Sequence, residues 1–522
     1  MSPYETASAR NLPPGNEQTL RDMPAFVQDI NVLKRAEAKI SDMLAEESGK
    51  TAEALPRERM DVTRPLRGYR ATDALALVSG FILAWALAVT INGFLERPFD
   101  IRFAEEGIRL LQFVAIACGV LLWFENTGHY RVRMPFWLEI KKIVNTLGVA
   151  LMIDGFLVFA SKQDFSRLSL ISAWGFAAIG IVAFRSLYRA KLVREGRWQV
   201  PTLLVGSGAM ANEARLALAS EPGLGHVIAA QIEDLPHAFK QAGRSWEKLC
   251  ALHGVDFVVI ALNGQELARA DQPLAQLSRE SVPFSVSSPL RHLPVMNMMQ
   301  QYFFSHDVMM LTRSCGLEQP LQRVIKRGFD ILASGGTLLA LSPILLIVAA
   351  VVKLDGGPAL FGHKRLGLNG KSFPCLKFRS MVPNGDAVLK RHLANNPAAK
   401  AEWDREMKLR DDPRVTRVGA LLRKTSIDEL PQLLNVLRGD MSLVGPRPIV
   451  VAETDRYEND IAHYYRVRPG ITGLWQVSGR NDVSYAQRVH MDSWYVRNWS
   501  LWHDIAIVCK TIPVVFKRTG AY

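Results

Sequence analysis

The segment at 423 to 448, RKTSIDELPQLLNVLRGDMSLVGPRP, sets two carboxylates side by side, Asp428 and Glu429, and ends in a Gly-Pro-Arg-Pro turn carrying Arg447 and Pro448. Two local registers are open. In one, Ser426 caps a helix and Glu429 reaches back to it; in the other, Pro431, which suits only a first turn, makes Asp428 the cap. Both place Asp428 at a helix N-terminus, where partial positive charge and free N–H groups keep a carboxylate ionised and can also hold a phosphate. A nucleophile and a phosphate could then share one site. First-turn acids also occur simply as solvated caps, and the pattern alone leaves that reading open.

Composition narrows the partners. Lys and Arg number 63 against 50 Asp and Glu in a chain of 522 residues, an excess that suits nucleic acid, anionic lipid or phosphate-rich substrates. The apolar segments decide for membrane lipids, and no nucleic-acid partner is expected. Cys118, Cys250, Cys315, Cys375 and Cys509 form no paired motif, and the histidines no metal-binding spacing, so neither a zinc site nor a disulfide frame is expected.

The elements that must position the acidic pair are those of a multi-domain membrane protein. Residues 1 to 70 are polar and read as a disordered cytoplasmic tail with one short helix near 25 to 48. Apolar segments at 73 to 95, 108 to 124, 143 to 160 and 168 to 188 make a four-helix transmembrane bundle within 71 to 190. Basic clusters precede the first segment, follow the fourth and lie between the second and third, so both ends of the bundle are expected in the cytoplasm.

Residues 199 to 312 switch to strand and helix alternation, a small Rossmann-like α/β domain with strands at 200 to 206, 227 to 232, 255 to 262 and 283 to 286. Gly206, Gly208 and Ala211 approximate a dinucleotide fingerprint with Glu233 or Asp234 as loose acidic partners, but such turns also serve only to pack a strand on a helix. The apolar run at 329 to 352 is long enough to span. A fifth crossing would put Asp428 outside the cell. Ser342-Pro343 at its middle is expected to break the helix and return it to the side it entered, with Lys326, Arg327 and Lys353 at one leaflet. Trp494, Tyr495, Trp499 and Trp502, followed by IAIVCKTIPVVFKR, suit a helix lying in the headgroup layer.

Three stretches, HKRLGLNGKSFPCLKFRSM at 363 to 381, the acidic segment, and RPGITGLWQVSGRND at 468 to 482, resemble in order the bacterial sugar transferases called monotopic phosphoglycosyl transferases. DGGPALFGHKR at 355 to 365, SGRNDVSY at 478 to 485 and the terminal GAY resemble most the long, membrane-anchored undecaprenyl-phosphate galactose-1-phosphate transferases. The resemblance implies a mainly helical catalytic domain at 318 to 522 with a re-entrant helix at 326 to 353. It implies transfer of hexose 1-phosphate from a UDP-sugar to undecaprenyl phosphate, with release of UMP, at the cytoplasmic face of the bacterial inner membrane.

In that scheme Asp428 is the nucleophile, and Glu429 assists it and shares Mg²⁺ with it. Arg423 and Arg447, with Pro448, bind phosphate; Lys377, Arg379, Arg365, Gln476 and Arg480 are candidates for nucleotide-sugar contacts; Asp492 matches a family carboxylate. A homodimer is expected. Galactose is favoured over glucose. A non-catalytic scaffold or regulator is the alternative of another class, and a membrane-anchored NAD-dependent epimerase lacks the Tyr-x-x-x-Lys pair it would need.

Overall fold

The computed structural model describes residues 61–94, 103–161, 167–280, 282–287, 293, 298–302, 309–313, 319–354, 356–406, 409, 411–478 and 483–516. The helix expected near 25 to 48 and the terminal GAY lie outside them. Four long helices come first: α1 (Tyr69–Phe94), α2 (Phe103–Asn126), α3 (Phe136–Ala160) and α4 (Arg167–Arg194). All four have the length and composition to cross a membrane, and only 22 to 28% of their most apolar windows is covered by the rest of the chain. The remaining apolar surface requires a lipid solvent.

Small residues let these helices approach. Ala76, Gly80 and Ala84 on α1 recur every four residues; Gly80 lies against the Ala173 and Ala177 backbone of α4 and Ala76 against Gly180, a spacing that brings backbones together where hydrophobic driving force is weak. Polar ties add to this: Arg109 of α2 pairs with Asp154 of α3, which also accepts from Trp174 Nε1 at 2.8 Å. The membrane unit begins earlier than the boundary expected at 70. Leu66 and Tyr69, each 2% exposed, pack under the bundle, so this stretch is part of the core rather than of a tail.

The α/β domain holds a parallel sheet in the order β2 (His226–Ile232), β1 (Val200–Val205), β3 (Phe257–Ile260), β4 (Phe284–Val286). Helix α5 (Gly208–Ser220) follows β1. At the turn between them Gly206 has φ 128°, and a Cβ there would lie 2.2 Å from Ala261 O. Close backbone packing against the end of β3 therefore requires this glycine, independently of any ligand. Ser207 Oγ donates to the Glu266 carboxylate, and Asp234 caps a short helix by accepting from His237 N at 3.2 Å. An antiparallel hairpin that the sequence reading did not include, β5 (Met298–Tyr302) with β6 (Met309–Arg313), follows the sheet.

Helix α6 (Pro320–Leu354) runs unbroken through Pro343, so the expected interruption is not a break in secondary structure. Proline cannot donate to the carbonyl four residues back. That carbonyl, Leu339 O, instead accepts from Ser342 Oγ at 2.8 Å, a back-bond of the kind that bends helices while keeping them whole. Lys326 and Arg327 are not headgroup contacts either. Lys326 is buried, with Nζ 2.6 Å from Asp504 Oδ2, 3.5 Å from Asp330 Oδ1 and 3.0 Å from Val444 O, while Arg327 donates to the Val436 and Leu437 carbonyls.

The rest of the chain forms the last domain: hairpin β7 (Leu360–Leu366) and β8 (Ser372–Phe378), helices α7 (Arg417–Thr425) and α8 (Gln432–Arg438), a parallel pair β9 (Ser442–Val444) and β10 (Gly470–Thr472), and helices α9 (Tyr485–Arg497) and α10 (Leu501–Phe516). Tyr495 and Trp499 are 3% and 2% exposed and belong to its core, not to a headgroup layer. Their polar ends are satisfied inside: Tyr495 Oη donates to Asp504 Oδ1 at 2.7 Å and Trp499 Nε1 to Asp504 Oδ2 at 3.1 Å. Trp502 instead reaches the membrane helices, donating to Trp137 O at 3.0 Å, with the two rings edge to face at 6.5 Å.

Candidate active site

Asp428 occupies neither of the two expected registers. Ser426 ends α7 in the left-handed region, φ 56°, and its side chain caps nothing. A 3-10 turn at Ile427–Glu429 then leads through Leu430 and Pro431 into α8. Asp428 is thus one turn ahead of α8, in the first turn of a composite helical segment. A left-handed serine costs on the order of 1 kcal/mol, and here it reverses the chain so that Ile427 packs against the buried cluster of Val352, Ala359, Phe378 and Leu422, which Leu345 and Val348 of α6 also cover. The acidic turn is thereby seated on the C-terminal half of the apolar helix.

Charge collects around this turn. Asp428 is 7% exposed. Burial pushes its carboxyl above the ordinary range, with neighbouring Glu429 adding to the rise and Lys377, Arg423 and its own N–H opposing it. The expectation that a helix N-terminus would dominate is corrected: desolvation is the larger effect. Lys377, projecting from β8, donates to Glu429 Oε1 at 2.6 Å. Arg423 donates through Nε to Ser380 Oγ at 2.9 Å. Gly419, one turn earlier on the same face of α7, permits that contact, because a Cβ there would lie 2.0 Å from Ser380 O.

A second cluster forms farther along the same face of the β7–β8 hairpin. Arg447 lies over the Trp475 ring at 5.8 Å to the centroid, and its backbone N–H supports Asp492. Asp492 also accepts from Tyr457 Oη at 2.9 Å. Its burial pushes the carboxyl up to about 7. Arg365 donates to Pro448 O at 3.3 Å and lies 3.6 Å from Glu453. The two clusters meet at Cys375, whose thiol burial pushes up while it feels the charges of Lys377, Arg365, Glu429 and Arg447.

Gln476 borders the second cluster with a buried, unpartnered Oε1. Arg379 does not join: its Nη2 holds Val352 O at the end of α6, 2.7 Å away, and Nη1 is buried without a partner. Arg480 lies outside the described residues. Arg488 is a residue the sequence reading missed. It stacks on Trp475 at 4.7 Å, and its buried Nε has no hydrogen-bond partner among the described residues. The signal was its place one turn before Asp492 on the same face of a helix.

Lys377 and Arg423 beside the acidic pair, with Arg447 and the unpartnered Nε of Arg488 in the second cluster, suit a ligand rich in phosphate oxygens. Among the described residues no group of three or more His, Cys, Asp or Glu gathers. An all-protein metal cage is therefore not built here, whereas one or two carboxylates completed by substrate phosphates is the arrangement Mg²⁺ takes. The adjacent Asp428 and Glu429 fit that role.

Comparison with known proteins agrees with this geometry. Residues 321–518 match the family described as "Bacterial sugar transferase", and residues 125–287 match one described as "CoA-binding domain". The "Undecaprenyl-phosphate galactose phosphotransferase" of Salmonella typhimurium is 45% identical over 419 residues, 78% of this chain and 87% of that protein. The "UDP-galactose-lipid carrier transferase" of Erwinia amylovora is 40% identical over 464 residues, 87% of this chain and 97% of that protein. A "UDP-glucose:undecaprenyl-phosphate glucose-1-phosphate transferase" of Caulobacter vibrioides is 44% identical over 216 residues, 39% of this chain and 75% of that protein. Matched by the family over residues 321–518 and by the relatives along most of its length, this membrane protein is an enzyme of the bacterial sugar transferase family.

Proposed function

We propose that the chain transfers hexose 1-phosphate, galactose 1-phosphate first, from a UDP-sugar to undecaprenyl phosphate and so initiates a lipid-linked polysaccharide. A carboxylate oxygen of Asp428 attacks the sugar-linked phosphorus, the pyrophosphate P–O bond breaks, and UMP leaves with the bridging oxygen. An oxygen of undecaprenyl phosphate then attacks the same phosphorus, and the Asp428 carboxylate is restored. Lys377 and Arg423 offset the charge that accumulates at the first phosphorus, while Arg447 and Arg488 face the remaining phosphate oxygens. Mg²⁺ held by Asp428 and Glu429 would neutralise the pyrophosphate. We take the enzyme to work as a homodimer at the cytoplasmic face of the inner membrane.

The observation that carries this reading is the seat of the acidic turn. Both halves of α6 bear on the catalytic domain, Lys326 to Asp330 on β9 and α10, Leu345 to Val352 on α7 and the acidic turn. The stretch between them is largely exposed. An apolar helix bent at Ser342-Pro343, dipping into one leaflet and returning, fits those contacts and brings Asp428 to the depth of a lipid phosphate. The test is intact-protein mass after incubation with UDP-galactose and no lipid acceptor. Wild type is expected to gain one hexose phosphate and Asp428→Asn none; an Asp428→Asn protein that still turns over removes Asp428 from the mechanism. The Caulobacter relative makes glucose the second reading, and UMP release from UDP-galactose against UDP-glucose separates the two.

A further inference from the structure

The strands of the β7–β8 hairpin pair with no shift of register, so side chains directly opposite one another share a face. Phe361 stands opposite Lys377, His363 opposite Cys375 and Arg365 opposite Phe373. The β8 half of this face is covered, because Phe373 and Cys375 are buried against Val436 of α8 and Met441. The β7 half is open. Phe361 is 55% exposed, His363 is exposed beside it, and the two rings meet edge to face at 6.4 Å.

A single exposed phenylalanine is ordinary on a protein surface; the place of this one is not. Lys377, its cross-strand neighbour at a Cβ spacing of about 5 Å, reaches Glu429 of the acidic pair at 2.6 Å. At the other end of the strip Arg365 reaches Pro448 O, beside the second cluster. The aromatic pair therefore stands on open surface between the two clusters. Membrane lipid is a poor partner for it: the opposite face of the hairpin, with Leu360 across from Phe378, is the one packed toward Val352 of α6, and Phe361 is turned away from that helix. The polar edge of His363 is also defined. Its Nδ1 lies 3.1 Å from Lys364 O, and a carbonyl only accepts, so Nδ1 carries the proton and Nε2 of the neutral ring is an acceptor.

We infer that Phe361 and His363 form the nucleobase subsite: uracil stacks on the Phe361 ring, and His363 Nε2 accepts from the uracil N3–H. This rests on the UDP-sugar reading above. One cross-strand step and the length of a lysine separate Phe361 from Glu429, and a ribose with one phosphate joins a base to the sugar-linked phosphorus over a comparable distance. Stacking on an aromatic ring serves every base, so Phe361 supplies affinity and His363 the choice between pyrimidines. Cytosine presents an acceptor at N3, which would meet the acceptor on the imidazole and leave both unpaired.

Binding of UMP, CMP and ribose 5-phosphate to the full chain in nanodiscs is measured by calorimetry, beside UMP release from UDP-galactose. Phe361→Ala is expected to weaken UMP about tenfold, equivalent to about 1.4 kcal/mol and within the range for one stacked base, with ribose 5-phosphate unchanged; Phe361→Tyr restores UMP binding. His363→Leu is expected to bring UMP and CMP, about tenfold apart in wild type, to within about twofold of each other. Equal losses for UMP and ribose 5-phosphate in Phe361→Ala make the ring a support of the site rather than a contact with the base. Unchanged UMP binding with a higher KM for undecaprenyl phosphate places the ring in the lipid layer. Either result overturns the proposal, as does a wild type that binds UMP no better than ribose 5-phosphate, or a His363→Leu protein that still separates the two pyrimidines. A wild type that binds UMP through Phe361 yet releases none from a UDP-sugar refutes the transfer reaction and leaves the subsite standing.

Discussion

Asp492 offers a test of how burial governs the second cluster. It is 3% exposed, between Tyr457 Oη and the Arg447 N–H, and its pKa rises from an ordinary 3.8 to about 7. A carboxyl whose pKa is higher in the folded state binds its proton more tightly there, so its stabilising effect is complete below the unfolded value. That effect is lost as pH rises through the folded value. Each pH unit in that window is worth about 1.36 kcal/mol, so going from pH 5 to pH 7 removes roughly 2 to 3 kcal/mol. In a domain of about 200 residues that lowers Tm by roughly 5 to 10 °C. Asp492→Asn keeps the shape and an acceptor for Tyr457 but carries no proton to lose. Thermal unfolding of both proteins should show wild type falling relative to the variant between pH 5 and 7 and levelling above 8. Parallel curves across that range would show that the carboxyl does not titrate there.

Two further outcomes follow from α6. Lys326→Met leaves Asp330 and Asp504 buried without their cation, which costs about 3 to 5 kcal/mol; Tm should fall while UMP release at low temperature persists, and an unchanged Tm would remove the network as the anchor of α6. The double change Ser342→Ala with Pro343→Leu restores an ordinary helical turn and makes a straight span available. A cysteine added at the C-terminus should be accessible only from the cytoplasm in wild type and partly from outside in the double variant. External labelling of wild type would refute re-entry.

Much of the architecture was legible because period and composition act locally. Four apolar segments gave four long helices, and the alternation after residue 199 gave the parallel sheet, its strands within a few residues of expectation. The acidic pair stood out by motif, whereas the ion pair between Lys377, expected as a nucleotide-sugar contact, and Glu429 did not. What failed depended on tertiary packing. Ser426 reads as a cap, yet it ends α7, because Ile427 is needed against α6. Lys326 reads as a leaflet contact, but its partner Asp504 is 178 residues away. Trp499 and Tyr495 read as interfacial aromatics, and Asp504 draws their polar ends inward. Arg488 gave only the faint signal of its spacing from Asp492; the fold is what sets it against Trp475.

The bond between Trp502 and Trp137 has a mechanical meaning. It joins the last described helix of the catalytic domain to the first turn of α3, while α6, also long and apolar enough to cross a membrane, would on the re-entrant reading enter the bilayer separately. The enzyme is therefore moored twice, and the two moorings respond differently to bilayer thickness. Spanning helices answer mismatch by tilting, which raises or lowers Trp137, whereas α6 is tied to the catalytic domain through the buried Lys326 network. A difference in height between them loads one partly buried hydrogen bond worth about 1 kcal/mol before it loads ionic contacts worth several times more. The tryptophan joint is the weak link, so a change in lipid thickness uncouples the halves of the molecule before it distorts the turn that holds Asp428.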